Sequence, residues 1–304
     1  MRDPLSDTTA TGGAGPSVTL VHACLRDGVG GSPTAVLEET GLGEVERRRI
    51  PAALGTSHAV FVSVEADAPA GPVVSLRFFT AAGELPACGH GTIAAMAFLA
   101  ERSGQEEYHA ALRSGGRVVV GRAVRTGGQF NSSFDWGPVG IGEPEPDAHR
   151  PVLDALGVPP ELPAPGTRVA ELGRRRLLVP VATRHALQAL TPDFGRLAEA
   201  CDRLGLLGCY AYSPPSAAGR LAARMFAPSI GVPEDIANAN STACLAALFA
   251  DEGGTGITVD MGDALGTPAT ITASARLTEA GPVARVGGMS AIERVTAVAP
   301  AAAR

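Results

Sequence analysis

Two side chains in the stretch GELPACGHGTIAA, residues 83–95, can do chemistry: Cys88 and His90, two apart and set between glycines. Such a pair could clasp a metal, act as a nucleophile, serve as a redox thiol or move protons. A metal site needs three or four ligands at workable spacing. Neither His-x-x-x-His nor Cys-x-x-Cys accompanies this pair, so Cys88 and His90 stand alone and no metal is expected. A Cys–His nucleophilic dyad requires the base to face the sulfur, which a spacing of two in a glycine turn disfavours. Cys88 then reads as a buried, inert thiol. Proton transfer remains. The small apolar run after the motif reads as a helix, and free N–H groups at a helix start bind anions. The same dipole should lower the pKa of His90 and hold it neutral, ready to give or take a proton. Gly89 and Gly91 would let a substrate approach the backbone. A capping histidine without chemistry is the plainer alternative; the flanking glycines favour function.

The elements that must position this motif show in hydrophobic patterning. Strands are expected at 17–25, 58–64, 73–79, 117–121 and 176–181, and helices at 91–102, 184–204 and 241–252. The segment GIGEPEPDAHRP, 140–151, is rich in Pro and Gly and acidic, as an inter-lobe link would be. An internal echo is more informative. Thr92 opens TIAAMAFLAERSG and Thr242 opens TACLAALFADEGG, so that Ala100 and Ala250, Glu101 and Asp251, and Gly104 and Gly254 fall at equal offsets. The two glycines are expected as C-caps. Small polar loops precede both helices. Separation by half the chain suggests two similar lobes, each offering a helix N-terminus.

Composition excludes several functions. With 304 residues, 45% hydrophobic and 18% charged, the chain can bury a large core as one domain or two lobes. A net charge of −6 argues against nucleic-acid or anionic-membrane partners. All 25 basic residues are arginine, which removes Schiff-base, phosphate-loop and general-base lysines. Five scattered cysteines (Cys24, Cys88, Cys201, Cys209, Cys244) suit a reducing compartment rather than a disulfide framework. Residues 1–16 lack the apolar core of a signal peptide and read as a disordered tail. No apolar run approaches a membrane span, so a cytoplasmic protein is expected.

GELPACGHGTIAA resembles the Glu-Leu-Pro-x-Cys/Ala-Gly-His-x-Thr signature of the PhzF-like family, named for an isomerase of phenazine biosynthesis. GGSPTAVLEE (30–39), GRRRLLVPVATRHALQALTPDF (173–194) and RMFAPSIGVPEDIANANSTACLAALF (224–249) resemble further segments of that family in the same order, from about residue 17 to 290. The resemblance implies an α+β, diaminopimelate-epimerase-like fold. Two lobes, each a sheet or barrel around a central helix, would span 17–140 and 141–300, with the final strand free to return to the first lobe. It also implies a cofactor-free site in the inter-lobe cleft, a homodimer, and a place in secondary metabolism of the antibiotic type.

Carried over residue by residue, the signature histidine falls on His90 and the aspartate of the family's Glu-Asp-Pro on Asp235. The family's catalytic glutamate falls on His58, in SHAVFV, and its loop serine on Asn240. Histidine can shuttle protons as glutamate does, with an unperturbed pKa nearer neutrality. Catalysis is therefore expected from His58, His90 and Asp235, and binding of a small carboxylate from Ser57, Cys88, Gly89, Gly91, Asn238, Asn240 and Ser241. The reaction implied is the shift of a C=C bond in an unsaturated ring acid, such as a dihydropyrrole or dihydro-hydroxyanthranilate-like acid. Two alternatives stand beside it: an amino-acid epimerase or racemase of the same fold, and a non-catalytic small-acid-binding relative. The racemases use one cysteine from each lobe. Cys88 matches the first, whereas the second falls on Asn238.

Overall fold

A helix that is apolar around its whole circumference must be enclosed on every side, and residues Gly89 to Ala100 are all buried. The computed structural model describes residues 16–68, 71–145, 147–158, 166–251, 253 and 256–297. The first half of the chain runs β1 (Ser17–Leu25), β2 (Ser32–Glu38), α1 (Glu44–Leu54), β3 (His58–Ala68), β4 (Gly71–Phe79), β5 (Glu84–Leu85), α2 (Gly89–Ser103), β6 (Glu107–Ser114), β7 (Arg117–Thr126) and β8 (Gln129–Pro138). The second half runs β9 (Gly140–Gly142), α3 (Arg150–Leu156), β10 (Arg168–Leu172), β11 (Arg174–Pro180), α4 (Arg184–Gln188), α5 (Phe194–Arg203), β12 (Leu206–Tyr212), β13 (Arg220–Ala227), β14 (Val232–Asp235), α6 (Ala239–Asp251), β15 (Ile257–Met261), β16 (Ala269–Thr278) and β17 (Gly281–Ala297).

What encloses α2 is a closed ring. Following hydrogen-bonded neighbours, β1, β2, β3, β4, β6, β7, β8 and β17 succeed one another and return to β1, and α2 touches each of them. Strand alternation supplies the inward face: in β8, Phe130, Ser132, Phe134 and Trp136 are buried while their neighbours are less so. The second half repeats the plan. β16, β15, β13, β12, β11, β10 and β9 follow one another from the first part of β17, and α6 packs on β16, β17, β10 and β9.

The two halves place their parallel pairs alike. β2–β3 and β11–β12 are parallel, as are β4–β6 and β13–β15. Parallel neighbours need crossovers, and the helices supply them. The threonine echo holds at atomic level: Thr92 N and Oγ1 donate to the Cys88 carbonyl, and Thr242 N and Oγ1 donate to that of Asn238. Cys88 and Asn238 are thus equivalent positions.

Two expectations change, and a third falls partly outside the described residues. The helix expected at 184–204 is two, because Pro192 has no N–H to continue one and Asp193 caps the next, its Oδ1 accepting from Arg196 N. The expected link at 140–151 begins as strand β9, already paired with β10. Gly104 caps α2 in the left-handed region with its N–H on the Glu101 carbonyl, and in α6 the matching bond, to the Ala250 carbonyl, comes from Gly253. Gly254 and the N-terminal tail over residues 1–15 lie outside the described residues. No helix among the described residues is long and apolar enough to cross a membrane.

Candidate active site

The two enclosed helices begin against each other. A Cβ placed on Gly89 would stand 2.6 Å from the Ala239 Cβ and 2.7 Å from Asn240 Oδ1, so only glycine lets the N-termini meet this closely. At that meeting point lies a cavity of about 300 Å³ with walls from both lobes.

The elements deliver the reactive groups to one wall. Cys88 is the N-cap residue of α2 and His90 sits in its first turn. His58 opens β3, opposite Thr34 of β2. All three line the cavity and are at most 5% exposed. His90 Nε2 lies 3.0 Å from His58 Nδ1 and 3.5 Å from Cys88 Sγ, and His90 Nδ1 lies 2.9 Å from the Ala237 carbonyl of the other lobe. Ser57 Oγ touches His58 Nδ1 at 2.8 Å. Asp235 ends β14 in the opposite wall. One carboxylate oxygen accepts from Asn238 Nδ2 at 2.9 Å and the other from Ala237 N, while Asn238 Oδ1 caps α6 by accepting from Ser241 N.

Burial works against ionisation of the Cys88 thiol, but the charge and hydrogen bonds of the two histidines outweigh it and bring its pKa down to about 5. Burial likewise opposes charge on His90. The Cys88 thiolate, then Asp235 and the Ala237 carbonyl, lift it to about 9. These are two ends of one interaction, a buried thiolate–imidazolium pair. Two expectations fall with it. Cys88 is not inert, because the glycine turn does bring the base to the sulfur. His90 is not held neutral, because a full negative charge in contact exceeds the half-charge of a helix end.

The hydrogen bonds also fix where protons can sit. A carbonyl only accepts, so His90 Nδ1 carries hydrogen. With His58 neutral, two arrangements satisfy these contacts. When Cys88 is ionised, the protonated His90 Nε2 can donate to His58 Nδ1, which places the hydrogen of His58 on Nε2. When His90 Nε2 has passed its hydrogen to Cys88, His58 Nδ1 can donate to that nitrogen, which leaves His58 Nε2 as the acceptor, so that Cys88 and His58 exchange the roles of acid and base between the two.

Of the residues expected to bind substrate, Cys88, Gly89, Asn238 and Asn240 line the cavity. Three do not. Ser57 is exposed and supports His58. Gly91 packs against Phe78 and the Cys88 sulfur. Ser241 is fully buried behind the wall, accepting from Arg176 and donating to the Met225 sulfur. Sequence reasoning missed Trp136, Arg117, Arg174 and Arg176, which line the cavity. For Arg176 a signal existed: the third arginine of RRRLLVP already belongs to the buried run of β11. The premise of only two ligand candidates also changes. One ring nitrogen each of His58 and His90 and the Cys88 sulfur all lie within 4.8 Å of one another, a donor set that zinc accepts with a fourth position open. Here the same atoms satisfy one another by hydrogen bonding.

A closed barrel and a second sheet of matching strand order, each around a buried helix, make the diaminopimelate-epimerase-like fold, with acid–base groups where the two helices start. The chain belongs to the phenazine biosynthesis-like protein family, whose sequence profile matches residues 21–295. An uncharacterized isomerase of Deinococcus radiodurans is 30% identical over 285 residues, covering 88% of this chain and 89% of that protein. A predicted epimerase of Pseudomonas aeruginosa superimposes with a TM-score of 0.77 at 25% identity, covering 94% of this chain and 100% of that one. A PhzF-family protein of Bacillus anthracis gives 0.77 at 17% identity, covering 93% and 98%.

Proposed function

We propose that this isomerase shifts a C=C bond in a small unsaturated ring carboxylate by removing a carbon-bound proton and returning one elsewhere, without a cofactor. The observation that carries this reading is the continuous hydrogen-bonded chain Cys88–His90–His58 along one cavity wall. In the ionised state Cys88 thiolate takes the proton and His58 Nε2–H supplies one. His90 then passes its Nε2 hydrogen to His58 Nδ1, so that three hydrogens on the three side chains before the step remain three after it. The protonated state runs the reverse, with His58 Nε2 as the base expected from its place in the family. Asp235 supports the charge on His90 from the opposite wall. Free N–H groups in the first turns of α2 and α6, near Gly89 and Asn240, are the natural seat for the carboxylate.

Both proton carriers come from the first lobe, within 4.8 Å of each other, and so address one face of a substrate. Inversion of a stereocentre needs carriers on both faces. Asn238, which holds the position equivalent to Cys88, offers an amide that carries no such proton. This favours isomerisation over epimerisation. The setting in antibiotic-type metabolism and the homodimer rest on the family resemblance, and the cytoplasmic location on the scattered, unpaired pattern of the cysteines in the sequence; sedimentation tests the homodimer.

The experiment is incubation of candidate dihydropyrrole and cyclohexadiene acids in D₂O, read by NMR. Deuterium entering the ring with migration of the double bond is expected, and a chelator should leave the rate unchanged. No exchange with any acid that binds would make the protein a binding module. Exchange that requires added zinc would reassign the three donors to a metal.

A further inference from the structure

Among the described residues one cluster of ligand-bearing side chains can close on a single ion: His58, Cys88 and His90. Passing protons is one use of these atoms, and their geometry suits a second. A zinc ion lies about 2.3 Å from a thiolate sulfur and about 2.0–2.1 Å from an imidazole nitrogen, in a tetrahedron. Those lengths set a sulfur and a nitrogen about 3.5 Å apart and two nitrogens about 3.3 Å apart. Cys88 Sγ and His90 Nε2 stand at 3.5 Å, and His90 Nε2 and His58 Nδ1 at 3.0 Å. The first edge already has its ligated length, and the second has to open by only about 0.3 Å.

The surroundings fit as well. The Ala237 carbonyl holds His90 Nδ1 at 2.9 Å and so turns Nε2 toward the other two donors, the outer contact that a metal-binding histidine makes. All three side chains are buried and line the cavity. Asp235, its one acid among the described residues, is already bound to Asn238 Nδ2 and Ala237 N, which leaves the fourth position of the ion to water or a small anion. One thiolate with two imidazoles is a donor set that favours zinc over magnesium or calcium.

We infer that Cys88, His90 and His58 form a zinc site, and that zinc bound there inhibits the protein by taking up the lone pairs through which the same residues move protons. The inhibition rests on the isomerase reading; the binding rests on the donor geometry alone. Zinc takes the place of one hydrogen. Of the three on these side chains, His90 Nδ1–H and one N–H of His58 stay, and the third leaves to solvent as the Cys88 thiolate joins the metal.

Cobalt(II) is the probe, since it accepts the same ligands and absorbs light. Untagged, metal-free protein titrated with cobalt should take one tetrahedral ion per chain and show a thiolate-to-cobalt charge-transfer band in the near ultraviolet. Zinc should displace it and magnesium should not. Cys88→Ser should abolish the band, and His58→Gln and His90→Gln should each weaken cobalt by more than the about ten- to a hundredfold that a lost outer contact costs. Should a variant fail to fold, as judged by circular dichroism, protection of wild-type Cys88 from iodoacetamide by zinc, located by peptide mass spectrometry, carries the test. Unprotected Cys88, or a band that survives in Cys88→Ser, overturns the site. So does cobalt bound without the band, which would place it on surface pairs such as His22 with Glu293 or His109 with Glu107. Deuterium exchange into a ring acid that is turned over should fall in step with zinc occupancy and return with a chelator. Exchange that bound zinc leaves unchanged or raises overturns the inhibition. If no acid exchanges, the inhibition falls with the isomerase reading, and the cobalt spectra still decide the site.

Discussion

Cys88 and His90 set the pH behaviour of the site. Alkylation of Cys88 by iodoacetamide should follow a midpoint near 5, well below the ordinary thiol value of 9.0. His90→Gln should move that midpoint up toward the ordinary value, because burial then acts with only one histidine to oppose it; an unmoved midpoint would remove His90 from the pair. The stability sign follows from the two directions. The depressed thiol contributes stability that is present at high pH and lost as pH falls through about 5. The raised imidazole contributes stability present at low pH and lost as pH rises through about 9. The ion pair therefore stabilises the fold between these limits. Cys88→Ser and His58→Ala should each slow isomerisation by about a hundred- to ten-thousandfold, the usual weight of a general acid or base. A serine variant at the wild-type rate would return Cys88 to a packing role and leave His58 as sole base. His58→Glu restores the family's residue, yet sets a second anion beside the Cys88 thiolate, and partial activity at most is expected.

At the scale of elements, the site depends on how closely α2 and α6 begin. Gly89→Ala forces a methyl into contact with Ala239 and Asn240, and overpacking of this kind costs about 1–3 kcal/mol. Its larger effect should be on turnover, since His90 Nδ1 must reach the Ala237 carbonyl across the same junction. Denaturant unfolding and deuterium exchange measured together check this: a modest stability loss with a disproportionate fall in rate is expected. Equal loss in both would make Gly89 a packing residue only. The equivalence of Cys88 and Asn238, each holding the threonine one turn onward, explains why one position can carry a thiol and the other an amide without disturbing either helix.

The whole molecule is one closed ring and a second sheet that share β17. β17 pairs with β16 along its first part, with β8 beside it, and with β1 along its last part, so the chain's final strand closes the ring begun by its first. A fragment ending at residue 140 lacks that closure and leaves β1 and β8 with bare edges, which invite intermolecular pairing. Expressed alone it should aggregate, and co-expression with residues 141–297 should restore a folded complex by size-exclusion chromatography and circular dichroism. A monomeric, cooperatively folded fragment would show the first lobe to be self-sufficient.

Much was legible from residue order alone. The echo of small apolar residues after Thr92 and Thr242 indicated two helices in two similar lobes, and the family resemblance implied that a sheet wraps each of them. The Cys-Gly-His motif marked where chemistry would lie, and the resemblance placed His58 and Asp235 in the same cavity. What those residues do to one another was not legible. A spacing of two says nothing about whether Sγ meets Nε2, and His58, thirty-two positions from His90, reaches it only through the closing of β3 beside β2. The protonation of Cys88 and His90 follows from that contact, since a pKa is set by the charges within a few ångströms and not by neighbours in sequence. Arg176 heads the strand expected at 176–181, but that this strand turns it inward beneath the start of α6 only the fold decides. Burial of a side chain, and the set of groups it meets, are properties of three-dimensional packing that no local pattern encodes.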